Sequence, residues 1–150
     1  MMRGLLLGLA CAAALPANAY CVHNELGDRS VRIEQESHPD KMRDERALRL
    51  TLKPGERRCC NFHRLDCNPG GRQNSVVNLA VTIPGTPAYA CGYPQGAEPL
   101  VTVTGGGSLR IVPNPRKSSV SPFVVRVRTH DKDLTGPRGL ACPEITSKGK

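Results

Sequence analysis

The sequence predicts an all-β, single-domain antiparallel β-sandwich of about eight short strands, stapled by up to three disulfides. Three observations predict it. Apolar residues recur with a period of two, Gly, Pro, Asn and Asp clusters interrupt those runs at short intervals, and six cysteines follow a candidate export signal.

The elements follow in chain order. Arg3, the Leu/Ala-rich run from Leu5 to Leu15 and the small-x-small triplet Ala17-Asn18-Ala19 read as a secretory signal peptide over residues 1–19. As a membrane anchor the run is too short, since a spanning helix needs about 20 apolar residues. As a lipoprotein signal it carries Gly8 three residues before Cys11, where Leu is expected. The exported chain is then residues 20–150, or 150 − 19 = 131 residues, destined for the periplasm or the outside of the cell. A domain of that size buries roughly two-thirds of its unfolded surface and has a true core. No later stretch is apolar enough to span a bilayer.

Cys21 to Asn24 is a short strand candidate, and in the next, Val31 and Ile33 alternate with Arg32 and Glu34. Pro39 to Ala47 is charged and has no apolar stripe, so it reads as a loop or one short helix. Leu48, Leu50 and Leu52 alternate with Arg49, Thr51 and Lys53 before the Pro54-Gly55 turn, and Arg57 to Asn61 is another short candidate. Residues 61–75 form a long connection. Val77, Leu79, Val81 and Ile83 then alternate with Asn78, Ala80 and Thr82 until Pro84-Gly85, and Ala88 to Gly92 follows as a short strand. Leu100 to Thr104 and Ser108 to Val112 flank Gly105-Gly106-Gly107, which reads as a tight hairpin with positive φ at the loop. After a connection over 112–122, Phe123, Val125 and Val127 face one way and Val124, Arg126 and Arg128 the other. Thr135 to Lys150 is a loop or tail anchored by Cys142. The expected core holds Leu48, Leu50, Leu52, Val77, Leu79, Val81, Val101, Val103, Leu109, Ile111, Val125 and Val127.

Cys21, Cys59, Cys60, Cys67, Cys91 and Cys142 remain once the signal takes Cys11. In an oxidising compartment they pair. Neighbours on an extended segment point to opposite faces, so Cys59 and Cys60 serve different partners. Of the pairings that six cysteines allow, the favoured set is Cys60 with Cys67, Cys21 with Cys59 and Cys91 with Cys142. The competing reading of the cluster is a metal site built from Cys60, His63 and Cys67, although it lacks the paired Cys-x-x-Cys ligands usual for zinc.

No catalytic constellation emerges. There is no Gly-x-Ser-x-Gly elbow, the thiols are consumed in disulfides, and His23, His38, His63 and His130 are scattered. Asp131-Lys132-Asp133-Leu134-Thr135-Gly136 resembles the Asp-x-Asp-x-Thr motif of haloacid dehalogenase phosphatases, a likeness that implies a nucleophilic Asp131 and a general acid at Asp133. Too few residues follow for that family's later motifs. The same hexapeptide resembles the opening of an EF-hand calcium loop, with Cys142 where the bidentate Glu belongs. A calcium loop of another type would use Asp131, Asp133 and Glu144, and the plain reading is an Asx turn. No cofactor is implied.

What remains is charge. Without Arg3 the chain has 21 − 1 = 20 Lys and Arg against 13 Asp and Glu, a formal charge of about +7. Tryptophan is absent, with two Phe and three Tyr, which argues against sugar-stacking platforms and against base stacking. Arg49, Arg110, Arg126 and Arg128, with Lys53, occupy the outward phase of their strands, so neighbouring strands would assemble a basic face suited to phosphate or carboxylate. The expectation is an exported, non-enzymatic binding or structural module recognising an anionic glycan, a lipid head group or another cell-envelope component. The alternatives are an enzyme inhibitor or small hydrolase working from loops 61–75 or 112–122, and a metal-binding periplasmic protein.

Overall fold

The computed structural model describes residues 19–36, 48–95, 98–129 and 131–146. Eleven strands run through them: β1 (Ala19–Asn24), β2 (Val31–Gln35), β3 (Arg49–Leu52), β4 (Arg57–Asn61), β5 (Val76–Ile83), β6 (Tyr89–Cys91), β7 (Tyr93–Gln95), β8 (Glu98–Thr104), β9 (Ser108–Pro113), β10 (Phe123–Arg128) and β11 (Leu140–Ala141). There is no helix among the described residues. The expected signal segment before Ala19 and the loop or short helix expected at Pro39 to Ala47 lie outside them.

The strands form two sheets packed as a β-sandwich. One is five-stranded in the order β11-β10-β9-β1-β4. The other is six-stranded in the order β3-β2-β5-β8-β7, with β6 beside β5. Pairing is antiparallel except between β1 and β9, which run parallel. The period-two pattern produces this directly. In β5, Val77, Leu79, Val81 and Ile83 are buried while the residues between them face outward. They meet Tyr20, Val22, Leu109, Ile111, Val125 and Val127 of the five-stranded sheet. Each such side chain contributes about 1.5–3 kcal/mol on burial. Leu48 and Leu50, expected in the core, are only half-buried: they lie around the start of the edge strand β3, whose far end carries the fully buried Leu52.

The three disulfides are Cys21–Cys59, Cys60–Cys67 and Cys91–Cys142. Cys21 and Cys59 are directly opposite each other on β1 and β4, with Cα atoms 4.0 Å apart, so the register of that pair brings the sulfurs together. Cys91–Cys142 anchors the C-terminal segment to β6 and is fully buried.

Three local expectations are corrected. The triglycine does not close a hairpin: β8 belongs to the six-stranded sheet and β9 to the five-stranded one, so residues 105–107 carry the chain across the sandwich. None of the three has a left-handed φ. They are small because other chain passes close by, backbone beside Gly105 and Gly107 and the Gln73 side chain beside Gly106. A Cβ on Gly105 would lie 2.4 Å from Arg72 O and 2.5 Å from Asn68 Nδ2, and one on Gly107 would lie 2.5 Å from Arg128 O. Gly105→Ala is therefore expected to cost about 1–3 kcal/mol. An unchanged urea midpoint for that variant would show the contact to be dispensable.

The connection after β9 is shorter than expected, because β9 runs to Pro113, and Asn114 closes the remaining loop by donating through Nδ2 to Ser121 O at 2.7 Å. The third correction concerns Val124, expected to face solvent beside Arg126 and Arg128. It is buried, because the C-terminal segment folds over that end of β10: Gly139 packs against it and Ala141 pairs with it.

Candidate functional site

The outward face of the five-stranded sheet is built by register. Arg126 on β10 is directly opposite Arg110 on β9. Arg110 is in turn the partner of His23 on β1, and His23 of Arg57 on β4. Directly paired residues share a face. Arg126, Arg110, His23 and Arg57 thus form one row across four strands, about 14 Å long from three inter-strand spacings. The next row along the strands is Arg128, Ser108, Cys21 and Cys59, so the Cys21–Cys59 disulfide lies in the face itself and pins β1 to β4 beside the arginines.

The charges within the row are not equivalent. Arg110 Nε donates to Glu25 Oε1 at 2.5 Å, and Arg128 is exposed. Arg126, expected to be solvent-facing, is only partly so, because the 134–139 segment covers it. Its Nη2 donates to Pro137 O at 3.4 Å, and its Nε is buried without an acceptor. His23 is half-buried, and its ring is held below the ordinary imidazole range. Desolvation contributes most, Arg57 and then Arg110 add repulsion, and Glu25 pulls the other way.

The structure divides the arginines and lysine singled out from the sequence. Arg110, Arg126 and Arg128 share this face. Arg49 is on β3 in the other sheet, opposite Glu34, and Lys53 follows the same strand. Outward faces of stacked sheets point in opposite directions, so Arg49 is remote from the row. It lines a shallow groove of about 260 Å³ with Glu34, Gln35, Glu36, Ala80, Glu98 and Leu100. The sequence reading missed His23 and Arg57 as members of the row. Their signal was the alternation itself, because Tyr20 and Val22 inside place His23 outside.

The other candidate chemistries are placed as follows. Cys60 and Cys67 are bonded to each other and so are not thiolate ligands, while the His63 ring lies tilted by 45° against that of Phe62, with centroids 4.2 Å apart. The loop they close is folded on itself: Arg64 N donates to Asn61 O at 2.9 Å and Asn68 N to Arg64 O at 2.8 Å. Arg64 and Asp66 form an ion pair at its tip. The buried Asn68 braces it by donating to Phe62 O and Arg72 O. Asp133 Oδ1 accepts from Thr135 N, Thr135 Oγ1 and Gly136 N, the geometry of an Asx turn. The backbone bond from Thr135 is the main cause that keeps this carboxylate below its usual range. Among the described residues no three His, Cys, Asp or Glu side chains are grouped as metal donors. His38 and His130 lie outside the described residues.

No family model matches the chain, and no curated protein and no solved structure matches it.

Proposed function

We propose that the protein is an exported, non-enzymatic binding module that takes up an anionic polymer on the outward face of its five-stranded sheet. The observation that supports this most is the register that aligns Arg126, Arg110, His23 and Arg57 across four strands, with Arg128 one row away. Guanidinium forks suit phosphate, sulfate and carboxylate groups, and a row of them suits a chain that carries such groups in series. Anionic glycans, lipid head groups and other cell-envelope polyanions have that chemistry. Three disulfides are compatible with an oxidising compartment, and among the described residues no helix is long and apolar enough to cross a membrane.

The test compares two triple variants that remove the same charge. Arg57→Ser with Arg110→Ser and Arg128→Ser is expected to weaken binding to immobilised heparin by about tenfold or more, and to flatten the dependence of log K on log salt. Arg64→Ser with Arg72→Ser and Arg116→Ser, on loops elsewhere, is expected to have a much smaller effect. Equal losses from both triples would mean that net charge alone governs retention and would overturn the proposal.

A further inference from the structure

We infer that His23 makes anion binding at this face pH-dependent: its imidazole takes up a proton when an anion docks, so affinity rises as pH falls from about 7.5 to about 5.5. The inference rests on the binding reading above and assigns a regulator to that same site.

The geometry carries it. His23 is the residue of β1 that faces Arg57 of β4 on one side and Arg110 of β9 on the other, both in direct register. From the turn after β1, Glu25 reaches the same spot through its ion pair with Arg110. Arg126 stands one strand beyond, on β10. A proton placed on the ring of the free protein is penalised first by the half-buried setting and then by the two guanidinium charges, and both lower His23. A sulfate or phosphate bridging Arg57 and Arg110 cancels that repulsion and offers the ring an acceptor. The bound state therefore holds more protons than the free state, and by linkage the anion binds more tightly where the proton is available.

No other group in the row shares this window. The other side chains of the two rows are guanidinium groups, a serine and the Cys21–Cys59 disulfide, and imidazole is the side chain whose ordinary range falls between about pH 5 and 8. Glu25, paired with Arg110, competes with the incoming anion for that guanidinium. Among the described residues of this face, His23 is thus the side chain through which mild acidification acts.

The test uses dextran sulfate, whose groups keep their charge over this range, unlike a phosphate monoester with its second pKa of about 6. Binding of the intact protein is measured by titration calorimetry at about pH 7.5, 6.5 and 5.5, in buffers of different ionisation enthalpy. Affinity is expected to rise about three- to tenfold across the range, one unit of induced pKa shift being worth a factor of ten. Net proton uptake should peak in the middle of it. In His23→Gln the ratio between the two extremes is expected to fall close to the small slope left by carboxylates. An NMR titration of the His23 ring, which needs no variant, should show its midpoint moving up when dextran sulfate is added. A pH-independent affinity, an unchanged slope in His23→Gln or an unmoved His23 midpoint would each overturn the inference. Failure of the Arg57, Arg110 and Arg128 variant to weaken binding at about pH 7.5 would instead overturn the binding reading itself.

Discussion

Leu79→Asp is expected to abolish folding. Leu79 is fully buried at the middle of β5, paired with Gln35 of β2 on one side and Val101 of β8 on the other, so no edge offers the new carboxylate a way to water. A lone carboxylate there costs several kcal/mol, and the lost leucine adds about 2–5 kcal/mol more. Together these are comparable with the roughly 5–15 kcal/mol by which domains are stable. Asn78→Asp, one residue away on the outward face, is the control and should remain folded. A cooperative thermal transition and dispersed amide spectrum for Leu79→Asp would show that the core is not where the alternation places it.

The second large effect is expected from replacing Cys91 and Cys142 together by Ala. That bond spans 51 residues, and the chain-entropy relation assigns such a loop about 4 kcal/mol, against about 2 kcal/mol for the bond between Cys60 and Cys67, which spans 7. The packing argument points the same way. Cys142 is buried, and it holds the segment that covers Val124 and half of Arg126, so its release exposes apolar surface that the shorter loop does not protect. Urea denaturation of the two double variants should therefore give a clearly lower midpoint for the Cys91 and Cys142 pair. Equal midpoints would mean that the C-terminal segment is held by β11 and the Tyr89–Glu144 bridge without the covalent link.

The parts of this fold that were legible from sequence are those set by local pattern. Alternation in Val77 to Ile83 or Val31 to Glu34 fixes which side chains face inward without any knowledge of the partner strand. Cysteine number and the opposed directions of Cys59 and Cys60 pointed to three disulfides with those two in different ones, but they did not decide which partner each takes. Neighbour relations are a different matter, since nothing near Arg49 reveals that its strand joins the sheet opposite to Arg110. The triglycine misled for a related reason. A glycine tolerated for close approach and one required for a left-handed turn look alike in sequence, and only Arg72 O beside Gly105 distinguishes them. Asn68 reads as part of a long connection and Asn24 as the end of a short strand, and nothing in the sequence marks either as buried, yet both are. Asn24 donates to Arg29 O, Leu52 O and Lys53 O, and its Oδ1 accepts from Leu26 N. His23 was passed over because an isolated histidine has meaning only through what stands across the ladder from it.

The parallel pairing of β1 with β9 has a kinetic consequence. Cys21 on β1 is the register partner of Ser108 on β9, a separation of 108 − 21 = 87 residues, whereas its other partner, Cys59, is 38 residues away. Closing the larger loop costs more chain entropy and is rewarded only once β8 and β9 have been positioned, and folds dominated by such remote pairings form slowly. A chain threaded out N-terminus first would present β1 early and find β4 soon after. It would then wait for β9 with one edge of a two-stranded ribbon open. During that interval the arginine row does not exist, because Arg57 and His23 are together while Arg110 and Arg126 have yet to arrive. The row is therefore complete only once β9 docks, and a chain arrested before that would hold His23 beside Arg57 but lack the Arg110 and Arg126 half of the row.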